Sequence, residues 1–384
     1  MPEVAEVAHV CAQLRRNILG HRIKSVLASN DPLIFPFLKL STDPDKELST
    51  FQNALTGCSV SSIGRHGKYF WMRLQPRDKS SLVLLMHFGM TGMVKLRNIN
   101  SHLIFMENGG DKKRLDKLKQ TEKEPSVADE EVTWPPKFTK FEMTFEDGDN
   151  QVEFAFVDPR RLARIRLLTG DSIQNDLDLL NHPPLDVLGP DYSKPRELLK
   201  QEQFTMGDPD PDNHGRPRLT LAEFNKLILT KKKPIKSLLL DQNCFAGVGN
   251  WVADEILFNA RIHPAEVISN KIDNVTTIHP VIERLYENLV YVCETAVKVE
   301  GNVDHFPKHW LMLHRWGKSR KKEKPKTNDG YLLDYVTVGG RTSCYSPELQ
   351  KMLKQDSKIK ATTDKQKFPQ GSSKECYIWS LGNI

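Results

Sequence analysis

The chain has 384 residues, of which 39% are hydrophobic and 27% charged, and its formal net charge is +6 at pH 7. This composition excludes an intrinsically disordered protein and gives enough length for two domains with substantial cores. The sequence has no apolar run long enough to span a membrane and no apolar stretch near its start that would suggest a secretory signal. The modest positive charge permits a nucleic-acid partner without requiring one.

The number and spacing of the cysteines indicate the cellular compartment of the protein. The six cysteines are scattered and form no Cys-X-X-Cys pair; they are Cys11, Cys58, Cys244, Cys293, Cys344 and Cys376. This scatter is typical of reduced thiols in a cytosolic or nuclear protein, and it argues against a structural zinc site. We therefore expect a soluble intracellular protein without a bound metal.

The first predicted element is an amphipathic helix over residues 3–18, where apolar side chains recur every three or four positions. Short runs rich in β-branched and aromatic residues then predict strands at residues 23–26, 68–74, 82–86, 141–145, 152–157 and 164–168. Several short strands at this spacing predict an antiparallel β-sandwich with the first helix packed on it, in a domain over residues 2–182.

The rest of the chain differs in composition. A highly charged stretch at residues 109–131 interrupts the predicted sandwich and is interpreted as a disordered surface insertion. The region between Leu219 and Val299 lacks strand alternation and predicts several helices, so a second domain is assigned to residues 195–350. A basic run follows at residues 315–326, and residues 355–384 form a lysine-rich tail.

The N-terminus carries the most informative catalytic signal. Removal of Met1, which the small residue Pro2 permits, would leave a secondary amine next to the carboxylate of Glu3. An α-amino group has a pKa of about 8, so a useful fraction is nucleophilic at neutral pH. Its attack on a sugar carbon would give an iminium, with Glu3 close enough to exchange protons. The alternative is structural, because proline and acidic residues both suit the start of a helix.

Lys68 begins a predicted strand directly after Gly67. Its ammonium group is either a solvated charge at the edge of a strand or a cation aimed at a phosphate or leaving oxygen near the N-terminal amine. These residues alone leave both interpretations open.

Two loops at the ends of predicted strands carry side chains suited to enter a DNA duplex. Met90 lies between two glycines, and its unbranched, polarizable side chain can wedge into a base stack. Arg160, Arg161 and Leu162 could supply a base-edge contact, a phosphate contact and a second wedge. The alternatives are a methionine folded back into the core and a solvated arginine pair.

The strongest internal signal is a pair of short helical segments joined by a glycine-containing turn. The turn is expected to need backbone freedom at Gly247 and Gly249, with Asn250 capping the second helix and leaving its first N–H groups as an outward anion site. A lysine cluster upstream makes phosphate the natural anion; it comprises Lys231, Lys232, Lys233 and Lys236.

Taken in order, these motifs closely resemble those of the formamidopyrimidine-DNA glycosylase and endonuclease VIII family, from Pro2 to about Leu349. The resemblance rests on the Pro-Glu start, the Gly-Lys lysine, the glycine–methionine loop, the Asp-Pro-Arg-Arg turn and the Gly-Val-Gly-Asn turn. It implies an α+β fold, in which an N-terminal helix packs on a two-layer antiparallel β-sandwich. A mostly helical domain with a helix–two-turn–helix and a β-hairpin finger would follow.

The resemblance also implies a role for each matching residue. Pro2 would be the Schiff-base nucleophile and Glu3 its proton-handling partner, with Lys68 and the finger arginine, Arg341, clamping the DNA backbone. Residues assigned to DNA binding, by the resemblance or by the lysine cluster, are Glu6, Met90, Arg160, Arg161, Leu162, Lys232, Lys236 and Asn250.

The sequence departs from the family pattern in three places. Val4 and Ala5 replace the Leu-Pro that is usual in bacterial members, and Leu162 replaces a phenylalanine, so its wedge would be smaller and could not stack. The four-cysteine zinc finger is absent, since only Cys344 and Cys376 lie in that region. This resembles the zincless-finger branch of plants, fungi and some animals, in which a metal-free hairpin presents the arginine.

The predicted function is therefore a bifunctional DNA glycosylase and abasic-site lyase that excises oxidised purines from double-stranded DNA in base excision repair. We expect a nuclear, monomeric enzyme that needs no cofactor and holds DNA in a cleft near residues 182–215. Two alternatives stay open: an endonuclease VIII-like glycosylase for oxidised pyrimidines, and a damaged-DNA-binding protein without catalysis.

Overall fold

The computed structural model describes residues 2–76, 82–103, 133–194, 216–272, 277–315 and 324–354. The predicted insertion at residues 109–131 and the tail at residues 355–384 lie outside the described residues. So do most of the basic run at residues 315–326 and most of the predicted cleft at residues 182–215.

The N-terminal domain consists of an antiparallel sheet and two helices of three or more turns. Helix α1 (Val4–Ile18) leads into β1 (Arg22–Ala28), and helix α2 (Pro44–Leu55) leads into β2 (Ser59–His66). The other strands of this domain are β3 (Tyr69–Gln75), β4 (Leu82–His87), β5 (Met93–Leu96), β6 (Thr139–Asp147), β7 (Asn150–Val157) and β8 (Arg164–Thr169).

The eight strands form a β-sandwich. They pair in the order β5-β7-β6-β1-β2-β3-β4-β8, and every pairing is antiparallel. A single residue pair, Arg22 with Ser59, joins β1 to β2, so the sheet divides there into two halves. Side chains from both halves share one apolar core, for example Phe141 of β6 and Phe70 of β3. The predicted sandwich is confirmed.

Helix α1 contributes to the cores of both domains. Val7, Cys11 and Leu14 pack into the sandwich core, whereas Val4 and Ala8 pack into the core of the helical domain. Because side chains three and four apart share one face of a helix, α1 presents one apolar stripe to each domain. The start of the chain is therefore held between the two domains.

The second domain is helical, as predicted, and ends in a hairpin. A short helix, α3 (Asp176–Leu180), precedes it. Its helices are α4 (Leu221–Thr230), α5 (Ile235–Leu239), α6 (Asn250–Asn259) and α7 (Pro280–Lys298), and its hairpin strands are β9 (Asp334–Val338) and β10 (Arg341–Tyr345). In the described ranges, no helix is both long and apolar enough to cross a lipid bilayer.

Buried polar contacts next to the start of β3 join the first domain to residues 191–194, which lead into the helical domain. The guanidinium of Arg65 forms a fully buried ion pair with Asp191 at 2.6 Å, and Lys194 Nζ donates to the Arg65 carbonyl oxygen at 2.8 Å. The ring of His66 is also buried, which lowers its pKa to about 4 and keeps it neutral. These contacts fix the turn that carries Lys68 against the helical domain.

Candidate active site and nucleic-acid interface

The carboxylate of Glu3 occupies the N-terminus of helix α6. Its two oxygens accept hydrogen bonds from the backbone N–H groups of Trp251 and Val252, each at 3.0 Å. A helix N-terminus is an anion site, because its first N–H groups have no partner within the helix. The predicted outward-facing phosphate site at this helix is therefore wrong, since Glu3 of the same chain fills it. Asn250 does not cap α6 either, because the N-cap residue is Gly249.

The two glycines of the connecting turn serve different purposes. Gly247 has φ +92°, a left-handed conformation that favours glycine, as the sequence predicted. Gly249 has φ −122°, which any residue can adopt, so its backbone freedom is not required. A Cβ atom on Gly249 would instead lie 2.1 Å from Cδ of Glu3. Gly249 is therefore needed for the space that the Glu3 carboxylate occupies.

Glu6 lies beside Glu3 inside the site. One carboxylate oxygen accepts from Trp251 Nε1 at 3.0 Å and the other from the Glu3 backbone N–H at 2.9 Å. Burial and the nearby charge of Glu3 raise the pKa of Glu6 to about 7. The Glu6 side chain thus faces the interior. It could contact DNA only through a nucleotide that enters the site, and that contact remains a prediction.

Lys68 and Arg341 belong to the same charged site. The turn before Lys68 packs on the helical domain, since a Cβ atom on Gly67 would lie 2.8 Å from Gly247 N. Burial lowers the pKa of Lys68, the negative charges of Glu3 and Glu6 oppose that shift, and Arg341 adds to it. Pro2, which directly precedes Glu3 in the sequence, is also buried. Three of the four residues predicted to be catalytic, Pro2, Glu3 and Lys68, are therefore buried near the start of α1, and the charge of the exposed Arg341 acts on Lys68.

A histidine that the sequence did not single out lies near this cluster. The Gly89 backbone N–H donates to Nδ1 of His87 at 3.1 Å, and the His87 ring packs against Tyr69 in a tilted arrangement with centroids 4.6 Å apart. Burial, reinforced by the charge of Lys68, lowers the pKa of His87 to about 4. The ring is neutral near pH 7 and fixes the start of the loop that carries Met90.

The two loops predicted to enter a duplex are held together by one buried carboxylate. Asp158 accepts hydrogen bonds from Thr91 Oγ1 at 2.6 Å and from the backbone N–H groups of Arg160 and Leu162 at 3.1 and 2.7 Å. The side chains of Arg160 and Leu162 are exposed, and Met90 is partly exposed. The three candidate wedge residues therefore lie on adjacent loops whose backbones share an anchor that sequence reasoning missed.

Arg161 is exposed but already has a partner. Its guanidinium binds the carboxylate of Asp31 through two hydrogen bonds, Nε–Oδ2 at 2.7 Å and Nη2–Oδ1 at 3.0 Å. Arg161 also has φ +57°, an uncommon conformation for a non-glycine residue. Its phosphate contact remains a prediction. A DNA phosphate would either displace Asp31 from the Arg161 guanidinium or bind the guanidinium together with Asp31.

Lys236 does not face solvent, which corrects the prediction that it binds a phosphate. Its side chain is 0% exposed, and its ammonium group forms an ion pair with Asp254, which is also fully buried. Lys236 Nζ further donates to the carbonyl oxygen of Asn250 at 2.6 Å. Lys232, by contrast, is exposed, so the sequence could not distinguish the buried lysine of this cluster from its neighbours.

The side chain of Asn250 is directed toward the hairpin. Its Nδ2 donates to the carbonyl oxygen of Thr342 at 3.2 Å, while its Oδ1 is buried and meets no hydrogen-bond donor among the described residues. The hairpin turn is formed by Gly339 and Gly340, both with positive φ, and it presents Arg341 at the surface. A phosphate contact of Asn250 stays a prediction.

A structural metal ion needs several donor side chains that converge on one point. Within the ranges that the structure describes, no group of three or more His, Cys, Asp or Glu side chains is arranged to hold a metal ion. Cys344 is buried in the apolar cluster beneath the hairpin, where burial raises the pKa of its thiol to about 12. The expected absence of zinc remains a prediction.

Comparison with known proteins identifies both halves of the chain. Family models for the formamidopyrimidine-DNA glycosylase N-terminal domain and H2TH domain match residues 1–165 and 208–306. A formamidopyrimidine-DNA glycosylase of Arabidopsis thaliana is 30% identical over 357 residues, which cover 93% of this chain and 73% of the relative. One from Listeria innocua is 25% identical and covers 91% of this chain and 100% of the relative.

Solved structures show the same fold. MutM in complex with DNA that contains carbocyclic 8-oxo-G has a TM-score of 0.60 and 20% identity, with coverage of 91% of this chain and 100% of that one. Lactococcus lactis formamidopyrimidine-DNA glycosylase, bound non-covalently to DNA with an AP site, has a TM-score of 0.58 and 21% identity, with coverage of 91% and 99%.

The two matched domains, with the N-terminal helix held between them, define a DNA glycosylase of the helix–two-turn–helix class. Within that class, the chain belongs to the formamidopyrimidine-DNA glycosylase family. The family resemblance predicted from the sequence motifs is confirmed.

Proposed function

We propose that this protein is a bifunctional DNA glycosylase and abasic-site lyase, with Pro2 as its nucleophile and oxidised purines in double-stranded DNA as its substrates. The observation that carries the proposal is the junction of Glu3 with helix α6. It holds a carboxylate beside the N-terminal proline in a buried site that includes Lys68, and the charge of the exposed Arg341 acts on that lysine. Family membership supplies the coarser function of DNA glycosylase.

The proposed chemistry begins with the amine that removal of Met1 would expose on Pro2. Its nitrogen attacks C1′ of a nucleotide flipped out of the duplex, the bond from C1′ to the base breaks, and the base leaves with a proton. Opening of the sugar ring and loss of the amine proton give an iminium. Glu3 exchanges protons with the ring oxygen and the sugar carbon, since its carboxylate is held within one residue of the amine.

The iminium then directs cleavage of the strand. Its positive charge makes the C2′ proton acidic, and loss of that proton expels the 3′ phosphate by β-elimination. A second elimination expels the 5′ phosphate. As cations, Lys68 and Arg341 stabilise the departing phosphates. Lys68 is buried, where the low local dielectric strengthens this interaction.

Base flipping leaves a gap in the duplex, at a cost of a few kcal/mol. We assign Met90, Arg160 and Leu162 to fill it, because they project from two loops that Asp158 joins. The solved neighbours hold DNA with 8-oxo-G or an abasic site, and this supports damaged duplex DNA as the partner. The Asp-Pro-Arg-Arg turn favours the purine branch. We also propose that the protein acts in the nucleus as a monomer.

Borohydride trapping tests the nucleophile. The unmodified protein, with mass spectrometry establishing that Pro2 is its first residue, should form a covalent adduct with duplex DNA containing 8-oxoguanine. Pro2→Gly should bind the duplex but lose most trapping and base excision. Pro280→Gly, which changes a proline at the start of a different helix, is the matched control and should behave like the unmodified protein.

A substrate panel distinguishes the alternatives. Duplexes carrying 8-oxoguanine, formamidopyrimidines, hydantoins or thymine glycol should show preference for the oxidised purines. Faster release of thymine glycol than of every purine lesion would favour the endonuclease VIII-like alternative. Binding to damaged duplexes without any trapped adduct would identify a non-catalytic binding protein and overturn the proposal.

A further inference from the structure

Asp254, on helix α6, lies at the centre of a buried charge cluster outside the catalytic residues. Its carboxylate forms ion pairs with Lys236 of α5 and with Arg315, the latter at 2.6 Å. The same carboxylate accepts a hydrogen bond from the backbone N–H of Cys344, in hairpin strand β10, at 3.2 Å. One side chain thus connects two segments of the helical domain to the hairpin that carries Arg341.

The contact with Cys344 is part of a continuous stripe along α6. Asn250, Asp254 and Phe258 are four residues apart, so they lie on one face of the helix. Asn250 donates to the Thr342 carbonyl oxygen, Asp254 accepts from the Cys344 N–H, and Phe258 packs in an apolar cluster with Cys344. This face of α6 therefore covers one edge of β10 along its length.

The covered edge is the outer edge of β10, the one that faces away from β9 and forms no hydrogen bonds within the hairpin. In an antiparallel pair, alternate residues direct their N–H and C=O groups away from the neighbouring strand. Thr342 and Cys344 are such alternate residues, and an uncovered edge would expose both groups. Asn250 and Asp254 satisfy them with side chains, which fixes the register of β10 relative to α6.

We propose that Asp254 is a positioning residue that anchors the hairpin and so sets the place of Arg341 in the active site. Arg341 begins the same five-residue strand that contains Cys344, and its charge acts on Lys68. The inference rests on the proposed function of Arg341, whereas the anchoring can be measured separately. Lys236 and Arg315 act as the cations that hold the Asp254 carboxylate in place.

Removal of Asp254 alone would leave two buried cations without their partner, so the charges are best removed together. The triple variant Lys236→Met, Asp254→Leu and Arg315→Met replaces the cluster with apolar side chains, a change that folded proteins can tolerate. Arg218→Met with Glu294→Leu is the matched control, because it removes another ion pair of this domain, between residues that have no proposed role in DNA binding or catalysis.

Hydrogen exchange followed by mass spectrometry measures the anchoring. The triple variant should keep its cooperative melting transition, while the amides of β10 exchange at least about tenfold faster, as expected for loss of a hydrogen bond to a charged group. Strand cleavage at a preformed abasic site should fall to the level of Arg341→Ala, with no further loss when Arg341→Ala is added. The control variant should change neither quantity.

A second pair of variants tests the contact even if the triple variant does not fold. Cys344→Pro deletes the N–H that donates to Asp254, fixes φ at residue 344 and leaves the three charges, whereas Cys344→Ala shortens the side chain and keeps the N–H. Cys344→Pro should reproduce the loss in Arg341→Ala, and Cys344→Ala should stay close to the unmodified protein. Equal behaviour of the two, or full protection of β10 in the triple variant, would overturn the anchor. An active Arg341→Ala would overturn only the proposed role of that arginine.

Discussion

A single methyl group added at Gly249 should displace the Glu3 carboxylate. The substitution Gly249→Ala puts a Cβ atom 2.1 Å from Cδ of Glu3, where ordinary contacts begin at 3.4 Å. The backbone of residue 249 has φ −122° and can accept alanine, so the strain falls on the Glu3 side chain and its contacts. The carboxylate must retreat by about 1.3 Å, the difference between those two distances.

This retreat breaks both hydrogen bonds from α6, which are 3.0 Å long. A hydrogen bond to a charged group contributes roughly 1.5–3 kcal/mol, so the free energy of unfolding should fall by about 3 kcal/mol or more. A displacement of about 1 Å at a catalytic group costs on the order of 100-fold in rate. Base excision should therefore slow by about that factor, measured in single turnover on a duplex with one 8-oxoguanine.

Gly330→Ala is the control for strain without displacement. Gly330 has φ +85° and nothing within 4 Å of its Cβ position, so alanine there costs roughly 1–2 kcal/mol of conformational strain. This variant should lose some stability and keep its excision rate. If Gly249→Ala excised as fast as Gly330→Ala, the hydrogen bonds from α6 would not be what makes Glu3 effective.

Three further predictions follow from individual side chains. Glu3→Gln should abolish base excision but retain part of the cleavage at a preformed abasic site; equal loss of both activities in gel assays would show that its role is assigned wrongly. Arg160→Ala should change the preference for the base opposite the lesion, whereas Lys232→Ala should flatten the dependence of log affinity on log salt by about one unit; uniform effects of both in titrations would contradict this division. The ion pair with Arg16 and the bond to His9 lower the pKa of Glu300 to about 2, although burial opposes them. Because this pKa is depressed, the stabilisation by Glu300 is complete above about pH 4.5 and disappears toward pH 2. Glu300→Gln should therefore flatten the pH dependence of urea unfolding in that window, and an unchanged slope would exclude the ion pair as its source.

Local patterns predicted the fold well because its elements have clear periodicity. Helix α1 and the strands with apolar or aromatic runs lie where their spacing predicted them. Strand β2 was not predicted, because serines and a glycine alternate with few apolar side chains in Ser59–His66. Its pairing with β1 and β3, rather than its composition, determines its conformation.

The site was only partly predictable because its contacts join distant parts of the chain. Motifs indicated Glu3 and the start of α6 separately, but no local signal shows that Glu3 fills the anion site at Trp251. Lys236 illustrates the same limit, since a lysine in a basic run gives no sign that Asp254 will bury it. The partners and the burial of such charged residues depend on tertiary packing, and the spacing of residues in the sequence does not reveal them.

The position of α1 between the two cores has a consequence for how the enzyme is made. Residue 3 leaves the ribosome long before residues 251 and 252, and domains generally fold in the order of their synthesis. The sandwich can form once its last strand, Arg164–Thr169, has emerged, yet Glu3 then still lacks both of its hydrogen-bond donors. A chain arrested before α6 would carry Pro2 and Glu3 without the N–H groups that position the Glu3 carboxylate. On the proposed mechanism, a chain therefore gains its activity only after the second domain has folded.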